Sequence, residues 1–306
     1  MKKAKITVVG SYHTDITLNV PHLPLNGQTV FGTSMQFNPG GKGSNQAVAA
    51  HRSGADVVFI AKVGCDGMEK TGFELYEKIG LPTDNIIRDG SVNTGVAAIE
   101  VDKETAQNRI VVIPGANMSL SADDIRQRED LIASSDILLL QLETSRESII
   151  EAVKIAKKHG VKIVLNPAPF SDVVFDIIKD VDIITPNETE ADLIAPGHDG
   201  NFQWAASDMI GMGCRNIIVT VGKQGSYYKG EKGEFVVPVI DLKPVDTTGA
   251  GDAYNGAFCT ALAEGKSMKE AMQFASAYSS LSVTRPGAAS SMPTREEVEE
   301  LMKENV

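Results

Sequence analysis

The sequence predicts an α/β protein built on a doubly wound, mostly parallel sheet that is covered by helices on both faces. Apolar runs alternate along the chain with amphipathic stretches of helical periodicity. The apolar runs contain few polar residues, which is typical of strands buried on both faces of a parallel sheet. Two segments, 15–38 and 94–113, alternate apolar and polar residues instead. We expect these to be antiparallel strands outside the main sheet, forming a small lid or contact surface.

The individual elements follow from this pattern. Strands are predicted at 5–10, 57–63, 137–141, 162–166, 183–186 and 216–221. Helices are predicted near 43–53, 68–79, 122–132, 146–159, 171–179 and 203–211. The chain turns helical from about Gly249 to Thr284, and a charged helix follows from Thr294. Since there are no repeats or linkers, we expect a single domain over 1–306, with lid strands inserted at about 15–38 and 94–113.

Composition and charge limit the possible functions. Of the 306 residues, 42% are hydrophobic and 23% are charged, which is ordinary for a globular protein with a sizeable core. The net charge of -11 makes nucleic acid and anionic membranes poor partners. The cysteines Cys65, Cys214 and Cys259 have no CxxC spacing, and no stretch is apolar for long enough to be a signal segment or a membrane span. We therefore expect a cytoplasmic location.

The most informative stretch is the string Asp-Thr-Thr-Gly-Ala-Gly-Asp from Asp246 to Asp252. Its glycines precede a helix, so backbone N–H groups and the helix dipole can bind an anion there. Asp252 at the same helix start would stay ionised and could accept a proton from a hydroxyl. An anion site beside a base is what phosphoryl transfer to an alcohol requires. The alternative is a capping aspartate beside a tight turn, which the whole string makes the weaker interpretation.

A second glycine-rich string, Asn-Pro-Gly-Gly-Lys-Gly-Ser-Asn, runs from Asn38 to Asn45 and precedes an apolar helix. Its glycines let the backbone approach a ligand closely, while Lys42 and Asn45 offer donors for hydroxyl groups. A purely structural turn explains this string equally well.

Other polar residues follow predicted strands at the edge where open α/β sheets bind ligands. Asn187 and Glu190 carry oxygen atoms suited to Mg²⁺, although their spacing favours a helix capping box. The carboxylates of Asp15 and Glu143 could accept hydrogen bonds from sugar hydroxyls, or they could be solvated or cap a helix. The segment 220–225 predicts a hairpin against which a nucleotide could lie. Neither a Walker A loop nor a GxGxxG dinucleotide motif is complete in the sequence.

Together these strings resemble the ribokinase family, the phosphofructokinase-B-like carbohydrate kinases. The likeness covers essentially the whole chain, and the two glycine motifs match the family in order and separation. The matching strings are Gly10-Ser11 with Asp15, 40–50, 141–143, 166–169, 185–190, 220–225, 246–252 and 284–291. The resemblance implies a ribokinase-like fold and transfer of phosphate from ATP to the 5-hydroxyl of D-ribose, giving ribose 5-phosphate.

The resemblance also implies site residues. Asp252 would be the base, and the backbone of Gly249, Ala250 and Gly251 would form an anion hole for the transferred phosphate. The sugar would be held by His13, Asp15, Gly41, Lys42, Gly43, Asn45, Glu143 and Asp252. The ATP site would be lined by Asn187, Thr220, Gly222, Gly225, Gly251 and Ser276.

Metal ions and a partner chain are implied in the same way. Glu190 would influence Mg²⁺ indirectly, and a monovalent cation, usually K⁺, would stimulate the enzyme from a loop beside the anion hole. That loop would use Asp246, Thr248, Ser282, Arg285, Gly287 and Ser291, partly through carbonyl groups. The strands at 15–38 and 94–113 match the family's lid, which covers the sugar and often forms a homodimer contact.

One sugar-contacting position departs from the family. His13 stands where the family's ribose-specific members usually carry Asn, so the resemblance specifies the reaction more closely than the acceptor. A neutral imidazole could still bond a hydroxyl. The alternative acceptors are deoxyribose, another pentose, a ketohexose or a nucleoside, and the remote alternative is a sugar-binding regulator without catalysis.

Overall fold

The computed structural model describes residues 3–102, 104–105 and 107–305, and its elements follow the alternation that the sequence predicts. The strands of this part of the chain are β1 (Lys5–Val9), β2 (His13–Val20), β3 (Ser34–Gly40), β4 (Asp56–Val63), β5 (Ile86–Arg88), β6 (Gly95–Asp102), β7 (Asn108–Ile113), β8 (Ile137–Leu140), β9 (Lys162–Leu165), β10 (Ile183–Ile184), β11 (Asn216–Thr220), β12 (Ser226–Gly230) and β13 (Gly233–Val237). All six predicted strands are present.

The α-helices of the same part follow the predicted positions with four differences: the two given below, an additional helix at Glu188–Ile194, and a division of the helical segment 249–284 after Ala263. They are α1 (Lys42–Arg52), α2 (Lys70–Ile79), α3 (Ala122–Arg126), α4 (Glu129–Ala133), α5 (Arg146–His159), α6 (Val173–Ile177), α7 (Glu188–Ile194), α8 (Phe202–Gly211), α9 (Ala250–Ala263), α10 (Met268–Ser282) and α11 (Arg295–Glu304). The helix predicted at 122–132 is divided at Arg128, whose φ of -117° leaves the helical range. The helix predicted at 171–179 is a short α-helix continued by a 3₁₀ turn.

A large sheet of nine described strands has the order β13-β12-β11-β10-β9-β8-β1-β4-β5. Neighbouring strands from β11 to β5 are all parallel. Strand β12 pairs antiparallel with β11 across the hairpin predicted at 220–225, and β13 pairs antiparallel with β12 at the edge of the sheet. Alternate residues of each strand face opposite cores, so that Val8 packs with α1, α2 and α9–α11 while Val9 packs with α3–α8. The helices on both faces confirm the doubly wound α/β class.

The two alternating segments form a separate four-stranded sheet of order β3-β2-β6-β7, which we call the lid sheet. Its central pair, β2 and β6, is parallel, and only the outer pairs are antiparallel. The expectation of purely antiparallel strands was therefore wrong. The reason is topological: β2 follows β1 and β6 follows β5, and both leave the carboxyl edge of the large sheet in the same direction.

Helices α1 and α9 pack unusually closely, and this contact positions the site described below. A Cβ atom at Gly256 of α9 would lie 2.6 Å from the Gln46 carbonyl oxygen and 2.7 Å from the Ala50 nitrogen, both in α1. Real Cβ atoms do not approach backbone atoms so closely, so only glycine lets the two helices meet. None of the helices in the described ranges is long and apolar enough to cross a bilayer.

We predict that Gly256→Ala forces α1 and α9 apart and lowers the free energy of unfolding by about 1–3 kcal/mol, the usual cost of overpacking. Gly211→Ala is the matched control, because a Cβ atom at Gly211 near the end of α8 meets nothing within 4 Å. Chemical denaturation measures both variants. Equal stabilities for the two variants would contradict the close-packing interpretation.

Candidate active site

Polar residues converge at the carboxyl edge of the large sheet, where the first turn of α9 faces the start of α1. Asp252 lies in that first turn and is only 5% exposed. The helix begins at Gly249, which has a left-handed backbone (φ 76°) that favours glycine. A left-handed residue at this point turns the 246–249 loop sharply into the helix, so that the carboxylate is held at the helix N-terminus.

Two amides from α1 bind the two oxygens of the Asp252 carboxylate. Asn45 Nδ2 donates to Oδ2 at 2.9 Å, and Gln46 Nε2 donates to Oδ1 at 2.9 Å. Burial raises the pKa of Asp252, while Lys42 and the two amides oppose that rise. The carboxylate is thus desolvated and held in a fixed orientation, which are properties that a general base requires.

The backbone at the start of α9 offers N–H groups to an anion. The first turn of any helix leaves N–H groups without intrahelical partners, and Gly249, Ala250 and Gly251 occupy that turn. The Ala250 N–H donates to the Thr247 carbonyl at 3.2 Å, so this bond would have to be shared or released for Ala250 to bind a phosphate.

A second carboxylate, Glu143, follows β8 and faces the start of α1. Its Oε2 accepts hydrogen bonds from the Lys42 backbone N–H at 3.0 Å and from the hydroxyl of Ser11. His13 Nδ1 lies 3.9 Å from the same oxygen. The predicted sugar residues from β2, α1 and the end of β8 therefore come together beside Asp252.

His13 is buried and lies at the start of the lid sheet. Desolvation lowers the pKa of its imidazole, and Lys42 adds to this effect while Glu143 opposes it. The ring is therefore neutral at pH 7, and its buried Nε2 has no hydrogen-bond partner. A neutral imidazole with one unused nitrogen can donate to or accept from a hydroxyl group.

Lys42 and Asp15 respond to the charges that crowd this pocket. Burial opposes the charge of Lys42, but the carboxylates of Asp252, Glu143 and Glu190 outweigh it and raise the pKa of the ammonium group. Burial, with the negative charges of Glu143 and Asp252, raises the pKa of Asp15 to about 7. Asp15 therefore titrates near neutral pH, although a free aspartate does not.

A cleft of about 410 Å³ lies on the other side of the α9 N-terminus. All six residues predicted for the nucleotide line it, namely Asn187, Thr220, Gly222, Gly225, Gly251 and Ser276. The cleft is also lined by Tyr254 and Ser279, which the sequence did not single out. Ala250 and Gly251 line the cleft and directly precede Asp252, so one helix start contributes to both the cleft and the pocket.

Asn187 and Glu190 form the capping box that their spacing favoured. Asn187 Oδ1 accepts from the Glu190 N–H at 2.8 Å, and Glu190 Oε2 accepts from the Asn187 N–H at 2.9 Å. The cap does not remove Glu190 from the pocket, because its carboxylate interacts with Lys42 and Asp252. Burial raises the pKa of Glu190.

Asp246 holds together the two loops that were predicted to bind a monovalent cation. Its Oδ1 accepts from the Thr248 N–H at 2.9 Å, and its Oδ2 accepts from the Gly287 N–H at 2.8 Å. The Arg285 guanidinium donates to Glu297, and because a guanidinium has no acceptor atom, only the backbone carbonyl of Arg285 could bind a cation. The hydroxyls of Ser282 and Ser291 donate to nearby carbonyls. Across the described residues, no cluster of three or more His, Cys, Asp or Glu side chains could hold a metal ion.

The sequence did not assign a role to the polar side chains behind Asp252. Gln46 and Gln141 are fully buried, and Asn166 nearly so. Gln46 Nε2 donates to Asn166 Oδ1 at 3.0 Å, and Gln141 Nε2 donates to Gln46 Oε1 at 2.7 Å. A signal was available, since Gln141 and Asn166 directly follow two apolar strands and Gln46 directly follows Asn45.

Comparison with known proteins agrees with this geometry. Residues 3–295 match the model of the pfkB family carbohydrate kinases. A ribokinase of Haemophilus influenzae is 41% identical over 97% of this chain and 98% of its own length. A ribokinase structure from Thermotoga maritima has a TM-score of 0.90 and 38% identity, covering 98% of this chain and 99% of its own.

Two further relatives bear on the substrate. The structure of an Arabidopsis thaliana ribokinase complexed with ribose and ATP has a TM-score of 0.90 and 30% identity, covering 99% of both chains. A deoxyribokinase of Salmonella typhi is 32% identical over 98% of this chain and 99% of its own length.

The fold and the site thus define the class as a kinase of small hydroxylated molecules. More particularly, the chain belongs to the pfkB family of carbohydrate kinases.

The raised pKa of Asp15 has a consequence for stability. Between the unfolded value near 4 and the folded value near 7, the folded protein binds more protons, so Asp15 destabilises the fold as pH rises. We predict that Asp15→Asn raises the free energy of unfolding by about 1–3 kcal/mol at pH 8 and has little effect at pH 4. Urea denaturation at both pH values measures the difference. A variant equally stabilised, or destabilised, at both pH values would contradict the prediction.

Proposed function

We propose that the protein transfers the γ-phosphoryl group of ATP to the 5-hydroxyl of D-ribose, producing ribose 5-phosphate and ADP. The observation that carries this proposal is that Ala250 and Gly251, which directly precede Asp252 in the first turn of α9, line the cleft, while Asp252 itself is bound by Asn45 of the polar pocket. The ribokinase relatives, one of them complexed with ribose and ATP, support the choice of both substrates.

In the polar pocket, the sugar hydroxyls would be bound by Asp15, Asn45 and Glu143, with His13 and the 41–43 backbone beside them. The carboxylates accept hydrogen bonds from hydroxyls, and the buried Asn45 Oδ1 has no other partner. Several convergent bonds would fix the sugar so that one hydroxyl faces Asp252.

Asp252 would accept the proton of that hydroxyl while its oxygen bonds to the γ-phosphorus and the bond from phosphorus to the ADP oxygen breaks. Backbone N–H groups at Gly249, Ala250 and Gly251 would stabilise the charge on the transferred phosphoryl group, and Lys42 would add a positive charge. The ATP would lie along the cleft past Gly225, Thr220 and Asn187.

Metal ions would assist from the periphery of the site. Mg²⁺ bound by the ATP phosphates neutralises charge during transfer, and Glu190 would hold it through water, since its buried carboxylate is already near Lys42 and Asp252. For K⁺ the proposed loop offers oxygen donors: the Asp246 carboxylate, the hydroxyls of Thr248, Ser282 and Ser291, and the carbonyls of Arg285 and Gly287. Alkali cations are commonly bound by such oxygens.

The lid sheet would cover the sugar and contribute a homodimer contact. Its strand β7 exposes consecutive apolar side chains, with Val111 63% exposed, and a partner subunit would bury them. Covering the sugar would exclude water and so prevent hydrolysis of ATP. Cys65, Cys214 and Cys259 are unpaired, which supports a reducing location such as the cytoplasm.

A second acceptor, deoxyribose, is favoured by two observations. The deoxyribokinase relative is nearly as similar over the whole chain as some ribokinases. His13, with its unpartnered Nε2, also replaces the residue usual in ribose-specific members of the family.

We predict that Asp252→Asn lowers kcat by roughly 10²–10⁴-fold, the loss expected on removing a general base. The variant should retain the fold, because Asn is isosteric with Asp. Asp84→Asn, at an exposed position remote from the pocket, is the control and should keep normal turnover. A coupled assay of ADP release measures both. Normal turnover in Asp252→Asn would refute its role as the base.

We also predict that a panel of acceptors, assayed with and without K⁺, gives the highest kcat/KM with D-ribose and higher rates when K⁺ is present. The panel contains D-ribose, 2-deoxy-D-ribose, other pentoses, fructose and a nucleoside, each with ATP and Mg²⁺. A higher kcat/KM with deoxyribose would replace the ribose assignment, and sugar binding without ADP release would exclude a kinase.

A further inference from the structure

Gln46 is the central member of the buried polar network behind Asp252. It lies in α1 and is fully buried. Its Nε2 donates to Asp252 Oδ1 at 2.9 Å and to Asn166 Oδ1 at 3.0 Å, and its Oε1 accepts from Gln141 Nε2 at 2.7 Å. Both N–H groups and the oxygen therefore have partners within the protein.

A backbone carbonyl determines the orientation of these amides. Asn166 Nδ2 donates to the carbonyl oxygen of Thr185 at 3.0 Å, and a carbonyl can only accept. Asn166 must therefore present its oxygen to Gln46, and Gln46 must present its NH₂ group to Asn166 and Asp252. Reversing the Gln46 amide would bring its oxygen against two acceptors, so its N–H remains directed at Asp252.

The two amide side chains that bind Asp252, those of Asn45 and Gln46, differ in whether their own oxygen has a hydrogen-bond partner. Asn45 donates to Oδ2, but its own buried oxygen has no partner, so it has capacity to bind a sugar hydroxyl. Each N–H group of Gln46 and its oxygen already has a partner. The direction of its amide is set by Asn166 inside the protein and does not depend on a ligand.

The charges around Asp252 make this neutral donor important. Lys42 from α1 is the positive charge that faces it, while Glu143 after β8, Asp15 from β2 and Glu190 from α7 are negative. Burial together with these carboxylates favours the protonated form of Asp252, which cannot act as a base. Gln46 opposes protonation by donating directly to the carboxylate.

We propose that Gln46 is a positioning residue that keeps Asp252 ionised and directs its free lone pairs toward the substrate hydroxyl. The catalytic consequence rests on the proposed kinase function, but the effect on the charge of Asp252 does not. The two can therefore be tested separately.

The first test measures the protonation of Asp252 without any substrate. Protein labelled with ¹³C at the aspartate carboxyl carbons is titrated by NMR, and the Asp252 signal is assigned by its loss in Asp252→Asn. Gln46→Met keeps the approximate length of the side chain but removes its N–H groups. We expect the titration midpoint of Asp252 to rise by about one pH unit, the size expected for one lost hydrogen bond to a charged group.

Two further variants separate direct donation from general disturbance. Gln46→Glu is isosteric and places an acid beside Asp252, so we expect a rise larger than that of Gln46→Met; it also decides the question if Gln46→Met fails to fold. Gln141→Met removes a partner of the Gln46 oxygen but no donor to Asp252, so the midpoint should stay at the wild-type value. An unchanged midpoint in the Gln46 variants, or an equal rise in Gln141→Met, would overturn the proposal.

The second test follows kcat/KM for the sugar against pH. In Gln46→Met, the acidic limb of the profile should shift to higher pH by the same amount as the NMR midpoint. In Gln141→Met, the limb should stay at its wild-type pH. A shifted NMR midpoint with an unshifted limb would show that Gln46 does not act on the reaction through Asp252. Absence of sugar phosphorylation by the wild-type protein would instead reject the proposed function, and the NMR result for Gln46 would stand.

Discussion

The site depends on one buried carboxylate and on the helix pair that holds it. Asp252 at the start of α9 receives hydrogen bonds from two consecutive amides of α1, and each oxygen has its own donor. These bonds require the backbones of α1 and α9 to lie in close contact. Gly256, one turn after Asp252 in α9, permits this contact because it has no Cβ atom. The position of this carboxylate is therefore a consequence of helix packing, and a change in that packing would move it relative to the residues of both the pocket and the cleft.

A cost of this arrangement is the concentration of like charge. The carboxyl groups of Asp15, Glu143, Glu190 and Asp252 lie around Lys42, and burial raises the pKa of Asp15, Glu190 and Asp252. Such a cluster opposes folding, because charged groups lose their hydration and repel one another. Perturbed acids in a cleft are characteristic of functional sites, where stability is lowered in favour of binding or chemistry. The neutral amides of Asn45 and Gln46 allow the cluster to exist without a matching number of cations.

The lid sheet connects the pocket to the exterior of the molecule. Only three residues connect β1 of the large sheet to β2 of the lid sheet, which carries His13 and Asp15. One short connection therefore joins the large sheet to the lid residues of the pocket. The opposite end of the sheet, β7, exposes apolar side chains. Strand β6 pairs with both β7 and β2, so one strand separates this exposed face from the strand that carries His13 and Asp15.

The sequence by itself determined the parts that local patterns encode. The six apolar strands, the helical character of the chain from about Gly249, the hairpin after Thr220 and the capping box of Asn187 were all predicted, because periodicity and turn chemistry act over a few residues. The strings at 40–50 and 246–252 also pointed to Asp252, Lys42 and Asn45, since glycine motifs are contiguous.

Only the tertiary structure decided which distant side chains meet. Gln46 and Asp252 are 206 residues apart, and Gln46 and Asn166 are 120 apart, so no local pattern could relate them. The same reason explains why the parallel pairing of β2 with β6 was missed, and why the pKa of Asp15 near 7 could not be read from its neighbours in the chain. Strand direction, burial and electrostatic coupling depend on which elements come together in space, and that is set by the packing of the whole fold.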